Sequence, residues 1–267
     1  GDTFMIHADL DTYLTTSNYG DSPLFDRVYK DAMYNELLHL DREWYYSDGL
    51  LSKTKIHRLY SKISISKLTL SLGRQQIRFG SSIMWNPLDF LNPVSPLSVY
   101  EPDDQNGTDA VRLNFYIKSK TEIALIANPK RKNNDHNNIQ YKNSNGITRF
   151  KTTLYNSDIA IIGGYVNKRF LLASDMQFVI LKGILNGNIL YVQPLEFRSY
   201  FQASVGYKYS FKNSLSITME YFYNENNLNN YGELKNAYEE SSIYGMNQFY
   251  YYRIANQIHT YNSHYTG

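Results

Sequence analysis

The chain has 267 residues, 42% of them hydrophobic, with 27 Lys and Arg against 25 Asp and Glu for a net charge of +2, and it contains no cysteine. These totals exclude a disulfide framework, a thiolate metal site and a cysteine nucleophile, and the even spread of charge leaves no polybasic segment to hold nucleic acid. No apolar run approaches the roughly 18 residues of a membrane-spanning helix, and no linker composition marks a cut, so residues 1–267 read as one domain.

Taken in chain order, the dominant period is two. Strands are expected near 4–14, 38–47, 53–65 and 68–79, with one good helix candidate between the first two. There Ser22-Pro23 precedes Leu24, Phe25, Val28, Tyr29, Met33 and Leu37 at helical spacing. In DAVRLNFYI, residues 109–117, Val111, Leu113, Phe115 and Ile117 share one face and Ala110, Arg112, Asn114 and Tyr116 the other. After Lys118–Lys120 the pattern resumes, with Ile123, Leu125 and Ala127 opposing Glu122, Ala124 and Ile126. Further strands are expected at 147–155, 158–166, 170–181 and 187–193. The run 201–211 then sets Phe201, Ala203, Val205, Tyr207 and Tyr209 against Gln202, Ser204, Gly206, Lys208 and Ser210. In 215–224, Leu215, Ile217, Met219, Tyr221 and Tyr223 oppose Ser216, Thr218, Glu220, Phe222 and Asn224. A weaker helix at Glu233–Glu240 and a strand near 248–258 complete the reading, about a dozen strands of about ten residues, the length that crosses a bilayer at a tilt.

The connections alternate in length. Ser66-Lys67, Lys118–Lys120, Asn156-Ser157 and Lys212–Ser214 are tight, whereas 80–108, 128–146 and 224–247 are long, polar and rich in Asn, Asp and Gly. Short turns on one rim and long loops on the other are the pattern of an antiparallel transmembrane β-barrel, and a mean hydropathy of -0.49 agrees with it because only alternate residues face lipid. A soluble β-sandwich also has hairpins, but its exposed face calls for more charge and its loops need not alternate. The expected fold is therefore all-β, an antiparallel transmembrane β-barrel of about 12–16 strands in the complete protein, this chain lacking its C-terminal strands because an unclosed edge cannot persist in lipid.

One stretch breaks the period. In KLTLSLGRQQIRFG, Leu68, Leu70 and Leu72 share a parity with Arg74, Gln76 and Arg78, and an arginine facing mid-membrane lipid costs roughly 2–4 kcal/mol. A β-bulge at Gly73 is the expected remedy, moving Ile77 and Phe79 to the lipid side and turning the two arginines and Gln76 inward. The following SSIMWNPLDFLNPVSP carries Pro87, Pro93 and Pro96, which forbid further ladder pairing, and its Trp85, Leu88, Phe90 and Leu91 need cover. The expectation is a segment folded back into the barrel, with Trp85, Asn86, Pro87 and Asp89 forming a constriction.

The residues Gly73-Arg74-Gln75, Ile77, Gly80, Trp85-Asn86-Pro87, Asp89, Gly107 and Asp109-Ala110-Val111-Arg112 resemble the signature of a porin-like family of bacterial outer-membrane proteins, distantly similar to alginate-export porins. His57-Arg58-Leu59-Tyr60 and residues 205–224 fit the same pattern, so the resemblance covers about residues 55–225 in patches. It implies a barrel and passive transport, without supplying a substrate. It also implies a closing strand with a terminal aromatic, and this chain stops at Tyr265-Thr266-Gly267.

Arg58, Arg74, Gln76, Arg78, Arg112, Glu122, Arg149, Lys151 and Glu220 are the expected pore-lining residues, with Arg253 and Glu196 nearby. Fixed arginine charge would favour anions in a narrow neck; alternatively, the charges pair across strands and stiffen the wall. Both readings stand at this point. EPDDQNGTD, residues 101–109, offers Asp103, Asp104, Asn106 and Asp109 as oxygen ligands, but the spacing misses the regular calcium loop and an Asn-Gly turn explains it. Asp9 and Asp11 read as inward polar groups, and His57 as a girdle or inward residue beside Arg58. The six histidines lie near no serine motif, and no GxGxxG, P-loop or HExxH is present. The sequence thus points to a non-enzyme with no cofactor and no metal: an outer-membrane channel for small hydrophilic solutes, anionic ones among them, or a non-conducting barrel serving as anchor or scaffold. Its expected partners are outer-membrane lipid, the solutes, and the barrel-assembly machinery during biogenesis, with the long loops as the place for a protein partner or a second copy.

Overall fold

The computed structural model describes residues 2–16, 37–38, 40–47, 50–91, 107–132, 135–139, 141–195, 198–225 and 264–266. Its strands are β1 (Thr3–Thr16), β2 (Asp41–Ser47), β3 (Leu50–Ile65), β4 (Leu68–Gln75), β5 (Thr108–Lys118), β6 (Thr121–Asn128), β7 (Arg131–Lys132), β8 (Asp135–Ile139), β9 (Asn145–Leu154), β10 (Ser157–Val166), β11 (Arg169–Ile180), β12 (Gly183–Pro194), β13 (Tyr200–Ser210), β14 (Ser216–Asn224) and β15 (His264–Thr266). Thirteen of them form one antiparallel sheet in the order β1-β3-β4-β5-β6-β9-β10-β11-β12-β13-β14-β15, with β2 beside β3; β7 and β8 make a separate small hairpin. Among the described residues the only helical element is a 3-10 turn at Tyr141–Asn143. The expected helices at 22–37 and 233–240 and the strand at 248–258 fall almost wholly outside the described residues.

Every connection from β3 to β4, β5 to β6, β9 to β10, β11 to β12 and β13 to β14 is a tight turn, and all five lie on one rim because successive strands are antiparallel. Tyr155-Asn156, Asn167-Lys168 and Leu181-Lys182 each hold two consecutive residues at positive φ, the backbone of a type I′ hairpin whose twist matches that of its strands. The turn at Leu181-Lys182 carries no Gly, Asn or Asp to announce it, which is why β12 begins four residues before the expected 187. On the opposite rim the links after β4, β6 and β14 are long, whereas β10 joins β11 through Asn167-Lys168 and β12 joins β13 through residues 195–199.

β3 has two neighbours on one edge. Its second half, Leu59–Ile65, pairs with β4, and its first half, Leu50–Lys55, pairs with β2, while β1 runs along the whole of the other edge.

The register through Gly73 is continuous with both β3 and β5, so the bulge expected there is absent. It lies instead at His57: Asp9 faces Arg58 and Leu10 faces Ile56, leaving His57 as the extra residue. Gly73 is required for a different reason, since it sits at φ +120° and a Cβ would collide with the Leu59 carbonyl oxygen. Ladder pairing ends at Gln75, not at 79, and the chain then leaves the wall. Ile77 and Phe79, expected to face lipid, are 1% and 4% exposed in the inner apolar cluster. An arginine-bearing strand end is better satisfied by turning inward than by continuing in the wall.

The alternation is otherwise as read. One cross-strand row, Phe115-Ile123-Phe150-Ile161-Ser174-Ile189-Ala203, runs across seven strands on the outer face. The adjacent row on the inner face is Asn114-Ala124-Arg149-Ile162-Ala173-Leu190-Gln202-Asn224. The outer row and its neighbours Val111, Leu125, Leu172, Val205, Ile217 and Met219 are largely exposed, whereas the inner row is mostly buried.

The sheet is strongly curved. Ser82, seven residues after Gln75 at the end of β4, shares a 2.6 Å hydrogen bond with Ser204 on β13. Seven residues of fully extended chain reach at most about 25 Å, whereas seven strand-to-strand steps would put β4 and β13 about 34 Å apart on a flat sheet. Two serine side chains do not bridge that gap, so the inner faces of β5 to β14 curl around the segment that follows β4. Among the described residues β1 and β15 are the two ends of the sheet and do not pair with each other.

Candidate functional site

The interior segment, residues 76–91, contains all four expected constriction residues and is built to hold its own shape. Gly80 turns the chain at φ +82° in a place where a Cβ would collide with the Asn86 side chain. Asn86 Nδ2 donates to the Phe79 carbonyl at 2.6 Å, and Asn86 Oδ1 accepts from Leu88 N at 3.1 Å. Pro87 follows, where its missing N–H leaves nothing unsatisfied. Arg78 Nε donates to Asp89 Oδ2 at 3.1 Å across the base of this loop, and Phe79 stacks on Phe90 with ring centroids 5.2 Å apart.

The tip of the loop is welded to the far wall. The carboxylate of Glu220 on β14, 3% exposed, accepts from the backbone amides of Ile83 (2.9 Å), Met84 (3.4 Å) and Trp85 (2.5 Å). Trp85 lies nearly parallel to Phe222 at 5.9 Å. Ser81 accepts from Asn186 Nδ2 at 2.8 Å through its carbonyl, and its hydroxyl donates to the Met176 carbonyl at 3.5 Å. Asn188 joins this network: its amide nitrogen reaches Asp175 Oδ1 at 2.8 Å while its oxygen takes Ser204 Oγ at 3.3 Å and the Ser82 hydroxyl. On the other side Ile77, Phe79, Leu88 and Phe90 close a dry cluster with Ala110, Ile126, Ile147, Ile162, Val166, Leu171, Ala173, Leu190 and Val192. Three charge-assisted bonds to one buried carboxylate, each worth roughly 1.5–3 kcal/mol, make Glu220 the principal anchor of the tip.

Each of the basic residues expected to face inward has an acidic partner. Arg58 lies 3.9 Å from Asp9, Arg112 and Arg149 approach Glu122 at 3.6 and 4.0 Å, and Lys151 meets Asp158 at 2.8 Å. Arg112 also donates to Asn114 at 2.8 Å. Cross-strand pairing, the second of the two sequence readings, accounts for these positions. Gln76 is half-buried at the start of the segment. Arg78 is 40% exposed while its partner Asp89 is 3% exposed, and burial pushes the Asp89 carboxyl up to about 7 against the opposing pull of Arg78.

Arg74 does not line a passage. Its side chain, 5% exposed, is held by Asp109 at 2.9 Å, the Leu38 carbonyl at 2.5 Å and the Ile56 carbonyl at 3.4 Å. Asp109 in turn accepts from Leu38 N at 2.6 Å. This is the junction where β3 exchanges β4 for β2, and Arg74 occupies the gap in the ladder. Gly107 completes it, its N–H donating to the His57 carbonyl at 2.9 Å with no room for a Cβ. His57 Nε2 faces Asp11 across to β1 at 3.1 Å. Thus the residues that carry the family resemblance are those that end β4, close the junction and shape the interior segment.

Sequence reasoning missed Ser82, Asn186, Asn188 and Ser204, because a small polar residue on an inward strand face looks the same whether it meets water or a tether. Asp103, Asp104, Asn106, Glu196 and Arg253 lie outside the described residues. No group of three or more His, Asp or Glu among the described residues could hold a metal ion. Comparison with protein-family models, with curated proteins and with solved structures finds no match for the chain.

Proposed function

We propose that the chain is an outer-membrane β-barrel whose interior, narrowed by residues 76–91, passes small hydrophilic solutes, with bacterial outer-membrane lipid around it and the barrel-assembly machinery as its partner during biogenesis. The observation that carries this reading is the outer face of the curved sheet. Phe115, Leu125, Phe150, Ile161, Leu172, Ile189, Phe201, Val205 and Met219 are each at least 40% exposed on neighbouring strands. Water does not tolerate so wide an apolar belt, whereas lipid requires it. The gathering of all three long links on one rim, with only short turns on the other, supports the same reading. Because the inward arginines are paired, the channel discriminates weakly by charge, and the segment acts on size.

The dry cluster behind the segment favours a second reading, a barrel that conducts nothing and serves as an anchor or scaffold, with its long links meeting a protein partner. Planar-bilayer recording separates the two. Stepwise ion conductance from the purified chain supports the channel; insertion into lipid without conductance supports the scaffold; failure to insert rejects both.

A further inference from the structure

Between residues 86–90 and the inner faces of β10 to β13 the structure holds a recess at the long-link rim, lined among others by Asn86, Asp89, Asn167, Arg169, Tyr200 and Gln202. Its unusual feature is two buried acceptors with nothing to accept. Asp89 Oδ1 and Asn167 Oδ1 both lack a hydrogen-bond partner, although Asp89 is only 4% exposed and its other oxygen is engaged by Arg78. A buried acceptor left unpaired costs roughly 1–3 kcal/mol, so two of them lining one recess call for a donor from outside.

The surroundings decide which donor. An anionic group would meet the Asp89 carboxylate and the Asn167 oxygen. A cationic group would meet Arg169, which lies 3.5 Å from the Tyr200 hydroxyl, and Arg78 behind Asp89. A neutral hydroxyl donates to either orphan oxygen and can accept from Gln202 or Arg169 in return. Tyr200 and Phe90 add ring surface of the kind on which the C–H faces of a polyol lie. The enclosed space admits about two water-sized groups, which suits the hydroxyls along one edge of a ring and not a whole ring.

We infer that this recess is a binding subsite for neutral, hydroxyl-rich solutes, which present two adjacent hydroxyls to Asp89 and Asn167 before they reach the narrow part of the interior. The inference rests on the channel reading for its purpose but not for its test. With the full chain in lipid nanodiscs at pH 8, glucose, glucuronate and ethanolamine are titrated and followed by saturation-transfer NMR and calorimetry. Saturable glucose binding is expected, with glucuronate and ethanolamine each at least five-fold weaker. Asn167→Gly removes one orphan acceptor at a turn position whose φ of 49° suits glycine, and it should weaken glucose about five-fold, the value of one hydrogen bond. Gln202→Met, a second variant on a different strand, should weaken it less. Absence of saturable glucose binding, tighter glucuronate binding, or an unchanged affinity in Asn167→Gly with the fold intact overturns the inference. Glucose binding by a chain that does not conduct removes the channel and leaves the subsite; conductance without glucose binding does the reverse.

Discussion

The two faces of β5 to β14 are made from the same strands, one residue apart, and they solve opposite problems. On the outer face the side chains are mostly large and apolar and stand largely exposed, as at Leu172 (59% exposed) and Met219 (68%). On the inner face they are smaller or polar and mostly tied to a partner: Gln202 to Asn224 at 3.1 Å, Asn145 to Asn128 at 2.6 Å, Glu220 to three amides. The outer face depends on its solvent, the inner one on its partners. A substitution outside should therefore change stability only in lipid, and one inside should act equally in any medium.

The largest effect is expected at the junction, where both rules are suspended. Arg74 and Asp109 sit at wall positions yet are 5% and 2% exposed. Arg74→Ala takes its guanidinium away from the buried Asp109 carboxylate, and it should cost about 3–5 kcal/mol, read as a lowered urea midpoint in detergent and in lipid alike. An effect below 1 kcal/mol would show that water reaches the junction.

Next comes the outer face. Leu172→Arg should cost about 2–4 kcal/mol when the chain folds into phosphatidylcholine vesicles, and close to nothing for any fold whose outer face meets water. Placing the same arginine at Gly163, its cross-strand partner toward β9, should give a similar penalty; a difference between the two would report their depth in the bilayer. Loss of the penalty at both sites would remove the lipid from the picture.

Glu220 comes third. Glu220→Gln keeps the shape and loses the charge, and it should destabilise the tip of residues 83–85 by about 1–3 kcal/mol. Its readout is local: faster amide exchange at Ile83 and Trp85, and noisier or larger conductance, with the urea midpoint shifted far less than by Arg74→Ala. An unchanged exchange rate would mean that Asn188, Ser82 and Ser204 hold the tip without it.

These three sites were legible in the sequence to different degrees, for physical reasons. The outer face was readable, because an apolar residue at every second position over eight strands marks one side of each as apolar. Trp85, Asn86, Pro87 and Asp89 could be placed in the interior because prolines cannot pair in a wall and a tryptophan needs cover. The direction of Arg74 could not, since its parity depends on where the ladder ends. A bulge at Gly73 or a departure after Gln75 equally relieves the arginine, and only Asp109, thirty-five positions on, decides between them. The bulge itself escaped notice because His57 is an ordinary strand residue until Gly107 arrives at its carbonyl.

The smallest effect is a pH dependence confined to the interior segment. Asp89 titrates near 7 in place and near 3.9 in an unfolded or undocked chain. A carboxyl whose value is raised by docking binds more protons when docked, so docking is most favourable below about pH 4 and weakens as pH rises toward 7, then levels off. The slope cannot exceed tenfold per pH unit, and the value near 7 already contains the pull of Arg78, whose guanidinium stabilises the same carboxylate that burial disfavours. An increase in the intrinsic-rate-corrected exchange of Leu88 and Phe90 amides is therefore expected between pH 5 and pH 8. Asp89→Asn should flatten the profile, while outer-face amides such as that of Val205 keep theirs. If Asp89→Asn leaves the slope in place, another group carries it, and the next to test is Asp175, which Asn188 ties to the tip network.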